Sequence, residues 1–244
     1  MQLVSRSFGF RIGLVVVFTV CAQTLFGQRA QLQTRNGQRF PTVVFSSVRW
    51  DANPPSYSIA IDSTGAATYQ SAPESLADTG VAYTVLFQAS DSTRRTVFAL
   101  VRSLNFFRDE LPISVGSPQN TRVNTIGYHD LTFSDQITYS ETSDSELDEL
   151  TSIVEDISTT FEFARRLAYF RDHDRRAIGS ELEAMQKDAQ RHHLREVQAV
   201  APVLRGIASD QSLDATVRRR ADEILTLFSR TGGGGGQRMI LPSD

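Results

Sequence analysis

The sequence predicts an α+β protein: an antiparallel sheet with one helix packed across it, followed by an antiparallel helical unit. Three observations carry that expectation. Between Pro41 and Thr142 apolar residues alternate with polar ones in short β-branched and aromatic runs, separated by clusters of Gly, Pro, Asn and Asp. Inside that stretch, residues 90–107 change to helical spacing. From Ser143 onward apolar residues recur every three or four positions. Strands followed by helices segregate into an α+β arrangement, whereas alternating strands and helices would give a parallel sheet.

Pro41 to Trp50 is β-branched and aromatic-rich and reads as the first strand, ended by Asn53-Pro54-Pro55. Tyr57 to Asp62 alternates so that Tyr57, Ile59 and Ile61 share one face. Ser63-Thr64-Gly65 supplies a turn, and Ala66 to Gln70 returns as the hairpin partner. Gly80 to Ala89 is a further strand. Ser90 or Asp91 then caps a helix running to about Phe107, with Val97, Val101, Leu104 and either Phe98 or Phe107 on one side. Leu111 to Asn120 carries Pro112, Gly116 and Pro118 and reads as irregular. Val123 to Phe133 and Gln136 to Thr142 read as a final hairpin across Ser134-Asp135.

The helical part opens on Ser143-Asp-Ser-Glu146, which fits a capping box. Leu147, Leu150, Val154, Ile157, Phe161, Ala164 and Ala168 form the stripe of a helix buried on one side. Arg165, Arg166, Arg171, Arg175 and Arg176 gather near its end, where cations suit the helix dipole. A second helix spans about Arg176 to Val200, with Ile178, Leu182, Met185, Ala189 and Val197 inward. Pro202 starts a short helix through Ala208, Ser209 to Ser212 turns, and Leu213 to Phe228 is the last helix. Gly232 to Gly236 is too flexible for a fixed structure. Without a preceding strand and a following helix with Lys and a hydroxyl, it is a disordered tail, not a phosphate loop.

The N-terminus gives an address. Arg6 and Arg11 precede an uncharged, mostly apolar run from Ile12 to Phe26, the pattern of a secretory signal peptide over residues 1–27. Cleavage fits after Ala22, with Leu25-Phe26-Gly27 as a second site. The alternative is an uncleaved anchor, although about 15 apolar residues fall short of the roughly 20 of a spanning helix. The expected location is periplasmic or secreted, or membrane-anchored through that one segment. Cys21 is the sole cysteine and lies within it, so the exported part carries no disulfide and no cysteine-ligated metal. Phe18-Thr19-Val20 lacks the small residue that a lipidation signal needs before Cys21.

At 40% hydrophobic and 22% charged, the whole chain has ordinary globular composition, and what remains after the leader is long enough for a packed core. The expected organisation is a sheet-and-helix domain over 41–142, a helical unit over 143–230 and a Gly-rich tail over 231–244. One lysine, Lys187, stands against 24 arginines; a nucleic-acid binder would show a basic face or domain. Here the net charge is −3, and removing Arg6 and Arg11 with the leader makes it −5, so nucleic acid is not expected.

The hairpin Tyr57 to Gln70, with Tyr, Ile, Ile, Gly and Tyr at Tyr57, Ile59, Ile61, Gly65 and Tyr69, resembles a family of bacterial exported α+β domains of unknown function. There, a glycine-led strand and an amphipathic helix follow, as Gly80 to Phe107 do here. The resemblance covers about residues 41–142 and implies a fold and an exported address, with no activity attached. Ala201 to Phe228 is similar to one HEAT-type helical hairpin, a unit that builds protein-binding surfaces when about three or more are stacked.

Chemistry-bearing residues are few. His129-Asp130 falls on a strand, where neighbours point to opposite faces. His173 stands between Asp172 and Asp174, but the surrounding arginines pair with those acids. His192 and His193 are adjacent and diverge on a helix, and no His-Glu-x-x-His spacing occurs. Glu141, Asp144, Glu146, Asp148 and Glu149 suit a helix N-terminus; the glycine of a calcium loop is missing. Trp50, Tyr57, Tyr69 and Tyr83 read as core, or as a face for sugar or peptide. No residue is assigned as catalytic, cofactor-binding or metal-ligating, and no cofactor is expected. The expected function is a non-catalytic interaction or scaffold module of the cell envelope with an envelope protein as partner. The alternative is a small periplasmic hydrolase whose Ser, His or acids meet only in three dimensions, and a small-ligand binder would need an enclosed site near the aromatics.

Overall fold

The computed structural model describes residues 40–72, 82–116 and 122–232; the leader, Gly80, the stretch 117–120 and Gly233 to Gly236 lie outside the described residues. Six strands form one antiparallel sheet: β1 (Thr42–Arg49), β2 (Ser56–Asp62), β3 (Ala66–Ser71), β4 (Tyr83–Gln88), β6 (Arg122–His129) and β7 (Ser134–Tyr139). Their spatial order is β4-β3-β2-β1-β6-β7. A two-residue ribbon pairs β5 (Ile113–Ser114), inside a stretch expected to be irregular, with β8 (Glu141–Thr142), at the end of the expected last strand. The α+β arrangement is therefore as the sequence predicts.

Local chemistry sets the turns. Gly65 at φ +88° makes the β2–β3 turn, and the Asp62 carboxylate accepts the N–H groups of Thr64 at 2.8 Å and Ala66 at 3.0 Å. The β6–β7 turn lies four residues earlier than expected. The Asp130 carboxylate accepts from the N–H of Thr132 and Phe133 and from the Thr132 hydroxyl, so 130–133 form the loop and His129 pairs with Ser134. Leu131, expected on the strand, is an exposed loop residue. At Gly127 an added Cβ would lie 3.0 Å from Gln136 Cβ and 3.1 Å from Asp135 O, so glycine lets β7 approach.

Helix α1 (Asp91–Ser103) begins as predicted, with Ser90 accepting from Thr93 N–H at 3.2 Å. It stops four residues short of Phe107, because Asn105, Phe106 and Phe107 adopt positive φ. Left-handed backbone costs roughly 1–2 kcal/mol per residue. The turn buries Phe107 and sets Phe106 against Tyr128 and Phe133, with the Arg108 guanidinium 3.8 Å from the Phe133 centroid. Aromatic burial offsets the strain.

Helix α2 (Ser145–His173) is capped by Asp144, one residue beyond the expected Ser143; its carboxylate accepts from Glu146 and Leu147 N–H, each at 3.0 Å. It is also buried on two sides, not one. Phe161 stacks on Tyr69 and packs at a tilt against Phe87 of the sheet, while Arg166 reaches Glu181 of α3 (Ile178–Gln190) at 2.7 Å on the far side. The single helix expected over 176–200 is broken at 191–196, where His192 and Glu196 take positive φ. Thr160 Oγ1 of α2 accepts the Arg195 N–H at 3.1 Å, and the Glu196 carboxylate accepts the Ser90 N–H at 2.9 Å and its hydroxyl at 2.8 Å. These long-range bonds outweigh the local helical preference. Helix α4 (Val197–Ser209) then holds Pro202 inside it, not at its start, and α5 (Ala215–Gly232) closes the chain's described part. One hydrophobic core runs from the sheet through α2 into α3, α4 and α5, across the strand-to-helix change at Thr142.

Candidate functional site

Antiparallel register aligns the covered face of the sheet into rows across six strands. Two rows are chiefly apolar: Phe87, Ala67, Ile61, Val43 and Tyr128, ending on Asp135; then Val85, Tyr69, Ile59, Phe45, Ile126 and Ile137. The third is Tyr83, Ser71, Tyr57, Ser47, Asn124 and Tyr139, polar at every position. Helix α2 meets that row with Thr151, Glu155, Ser158 and Glu162, spaced four, three and four apart and so on one helical stripe. A polar seam thus crosses a sheet–helix interface that is apolar elsewhere.

Two tyrosines are satisfied, Tyr139 at one end of the seam and Tyr69 in the row beside it. Tyr139 hydrogen-bonds Thr151, whose hydroxyl donates to Leu147 O at 2.7 Å. Tyr69 OH donates to Glu162 Oε1 at 2.6 Å and lies 3.2 Å from Ser158 Oγ, while Arg165 Nε meets Glu162 Oε2 at 2.9 Å. The middle is different. Ser47, Ser71, Tyr57 and Asn124 are 1%, 2%, 3% and 0% exposed; the Asn124 amide makes no hydrogen bond within the protein, and the Ser47 and Ser71 hydroxyls have only the Tyr57 and Tyr69 hydroxyls beside them. Buried polar groups in native proteins almost always have partners, and an unpaired one costs about 1–3 kcal/mol. Burial pushes the Tyr57 and Tyr69 hydroxyls above the usual tyrosine range, and Tyr83 and Tyr139 to about 12, so all four stay protonated donors.

One step past Ser47 and Asn124 on the same face, Arg49 and Arg122 are direct cross-strand partners. Arg122 pairs with Glu155 of α2, and Arg49 lies 5.5 Å over the Tyr57 ring, its Nε–H buried and without a hydrogen bond. Like charges directly opposite are destabilising in an isolated ladder. Among the described residues, Glu155 is the acid that pairs with this couple, through Arg122.

Among the described residues, no helix packs on the opposite sheet face. Its interior is Val44, Ser46, Ser58, Ala60, Thr68 and Thr125, with Leu86 60% exposed on the β4 edge. Among its described positions, charge and histidine occur only at the rim, as Asp62 and His129.

The histidines do not converge. His129 lies at that rim; burial lowers its pKa, and the carboxylate of Asp130 beside it is taken up by Thr132, Phe133 and Tyr128, which hold it at about 2. His173 is exposed, stacked on Tyr169 at 4.3 Å with its Nδ1 2.9 Å from Tyr169 O; His192 and His193 are exposed as well. In the acidic cluster Asp144 is the α2 cap, and Glu141, Glu146, Asp148 and Glu149 are exposed. Tyr57 and Tyr69 are buried and Tyr83 is half-buried beneath α2, whereas Trp50 is 65% exposed and apart from them. Among the described residues, no group of three or more His, Asp or Glu is placed to hold a metal, and no helix is long and apolar enough to cross a membrane.

Sequence reasoning missed Ser47, Asn124, Arg49 and Arg122. The available signal was polar residues two apart on a strand, together with Thr151, Glu155, Ser158 and Glu162 inside an otherwise apolar helix. No protein-family model matches the chain, and no curated protein is significantly similar to it.

Proposed function

We propose that this chain is an exported, non-catalytic interaction module of the cell envelope, docking a partner protein on the open face of its sheet. The observation that supports the reading is the composition of that face. Across six strands its interior is Ser, Thr, Gln, Ala, Val, Leu and Gly without a charge, in a chain that is 22% charged. Interface centres are depleted of charged residues, whereas solvated faces normally carry them. The partner that fits is an envelope protein with an uncharged surface of low relief, because any charge set against this face would be desolvated without a counter-ion.

Strands about 4.8 Å apart and rising about 3.3 Å per residue make a patch of roughly 25 by 20 Å, about 500 Å² per partner. Specific interfaces bury about 1,200 Å² or more in total. The face is therefore sized for reversible association. A photo-reactive residue at Thr125, introduced into the chain in its own envelope, should cross-link one reproducible protein, while one at Arg219 on exposed α5 should not. Equal yields from both positions, or none, would overturn the reading.

A further inference from the structure

We propose that the Arg49–Arg122 end of the polar seam is a binding site for a small carboxylate ligand. The inference is independent of the open-face docking, since the two lie on opposite sides of the sheet.

Donors converge there. In the ladder Ser47 lies directly opposite Asn124 on one side and Tyr57 on the other, and Arg49 lies directly opposite Arg122. Cross-strand neighbours stand about 5 Å apart at Cβ, so these five side chains lie side by side beneath α2. The Asn124 amide and the Arg49 Nε–H are buried and make no hydrogen bond within the protein, and the buried Ser47 and Tyr57 hydroxyls have only each other as neighbours. Asn124 leaves both amide atoms unpaired, so it offers a donor in either orientation. Hydroxyls, an amide and a guanidinium are the groups that hold a carboxylate through charge-assisted bonds.

Charge selects the ligand. Arg49 and Arg122 against Glu155 leave +1 at this end of the seam, which a monoanion neutralises. A neutral sugar would leave the cation uncompensated, and a doubly charged phosphate would place an extra negative charge beside Glu155. The way in is the rim, where the Arg122 and Glu155 side chains are 38% and 31% exposed.

The test is an NMR titration of the purified, nitrogen-15-labelled chain with sodium acetate, sodium phosphate and sodium chloride at one ionic strength. The arginine Nε–H and asparagine side-chain signals are read. The expected result is a saturable shift at Arg49 and Asn124 in acetate alone, with a Tm raised by acetate relative to chloride. In Arg49→Gln the Asn124 shift should weaken at least tenfold in affinity. In Asn124→Leu the shift at Arg49 should disappear. Should Asn124→Leu fail to fold, Arg49→Gln, at a half-buried strand end, carries the test alone. A response to acetate no larger than to chloride, tighter binding of phosphate than of acetate, or shifts unchanged in Arg49→Gln would each overturn the assignment. A purely structural seam gives a different pattern: Asn124→Leu then keeps or raises Tm, and no anion changes it.

Discussion

Tyr69 carries the largest single test of how the seam holds the sheet to α2. Its ring is fully buried and stacked on Phe161 at a centroid distance of 5.1 Å, and its hydroxyl donates to a carboxylate, Glu162, that is itself 3% exposed. Tyr69→Phe leaves the packing and removes one hydrogen bond to a buried charge, an interaction worth about 1.5–3 kcal/mol. Glu162 keeps Arg165, so the carboxylate is not stranded and the loss should fall near 2 kcal/mol, not at the 3–5 kcal/mol of breaking a buried pair. For a chain of this size that lowers Tm by roughly 4–8 °C. Tyr139→Phe is the matched control. Its partner Thr151 is neutral and keeps its own bond to Leu147 O, so about 1 kcal/mol is expected. Urea unfolding of the two variants should shift the midpoint at constant m. A cycle with Glu162→Gln should return a coupling of about 1 kcal/mol or more between Tyr69 and Glu162. A Tyr69→Phe cost under about 0.5 kcal/mol, or one no larger than that of Tyr139→Phe, would refute the assignment of that hydroxyl to the carboxylate.

Other substitutions probe other elements. Gly127→Val places a branched side chain where a Cβ already meets β7 at 3.0 Å, so a loss of about 1–3 kcal/mol is expected by thermal unfolding, and a neutral result would contradict the close approach. Glu196→Ala removes the acceptor of both the Ser90 N–H and its hydroxyl. A cost of about 1–2 kcal/mol is expected, with faster hydrogen exchange in the first turn of α1. His129 has its pKa lowered by burial, so below about pH 6.5 the unfolded chain binds a proton that the native one does not. Its contribution is therefore fully present above that pH and is lost as pH falls through it. His129→Gln should flatten the stability–pH slope between pH 7 and 5, and an unchanged slope would count against the burial.

Much of the fold was legible because local pattern and tertiary structure agree. Tyr57, Ile59 and Ile61 alternate, Asp62 to Gly65 carry a turn's chemistry, and Leu147 to Phe161 recur with helical period. The misplaced boundaries share one cause: bonds to residues far away in sequence. The helix expected over 176–200 breaks because Thr160 and Ser90 claim the backbone of Arg195 and the side chain of Glu196. The left-handed turn at Asn105 to Phe107 exists only because Tyr128 and Phe133 receive Phe106. The β6–β7 turn moved for a local reason, since Asp130 with Thr132 makes a side-chain turn that the alternation of Leu131 and Phe133 concealed.

The seam was harder to read than the fold. Ser47 and Asn124 look like ordinary strand polar residues expected to face water. Only strand order puts them side by side, and only the path of α2 turns that face inward. Arg49 and Arg122 are 73 positions apart and become neighbours through the β1–β6 pairing. Trp50, Tyr57, Tyr69 and Tyr83 were grouped by type in the sequence; register separates the exposed tryptophan from the three covered tyrosines.

The measurement that bears most directly on the central claim is recovery of a partner from the native envelope by the intact chain and by Ser58→Glu/Thr125→Glu, which puts two charges on the open face. The account predicts one reproducible partner with the wild-type chain, its loss with the double variant at unchanged Tm, and its retention with Arg219→Glu on α5. A partner retained by the double variant, or no partner with the wild-type chain, would contradict it.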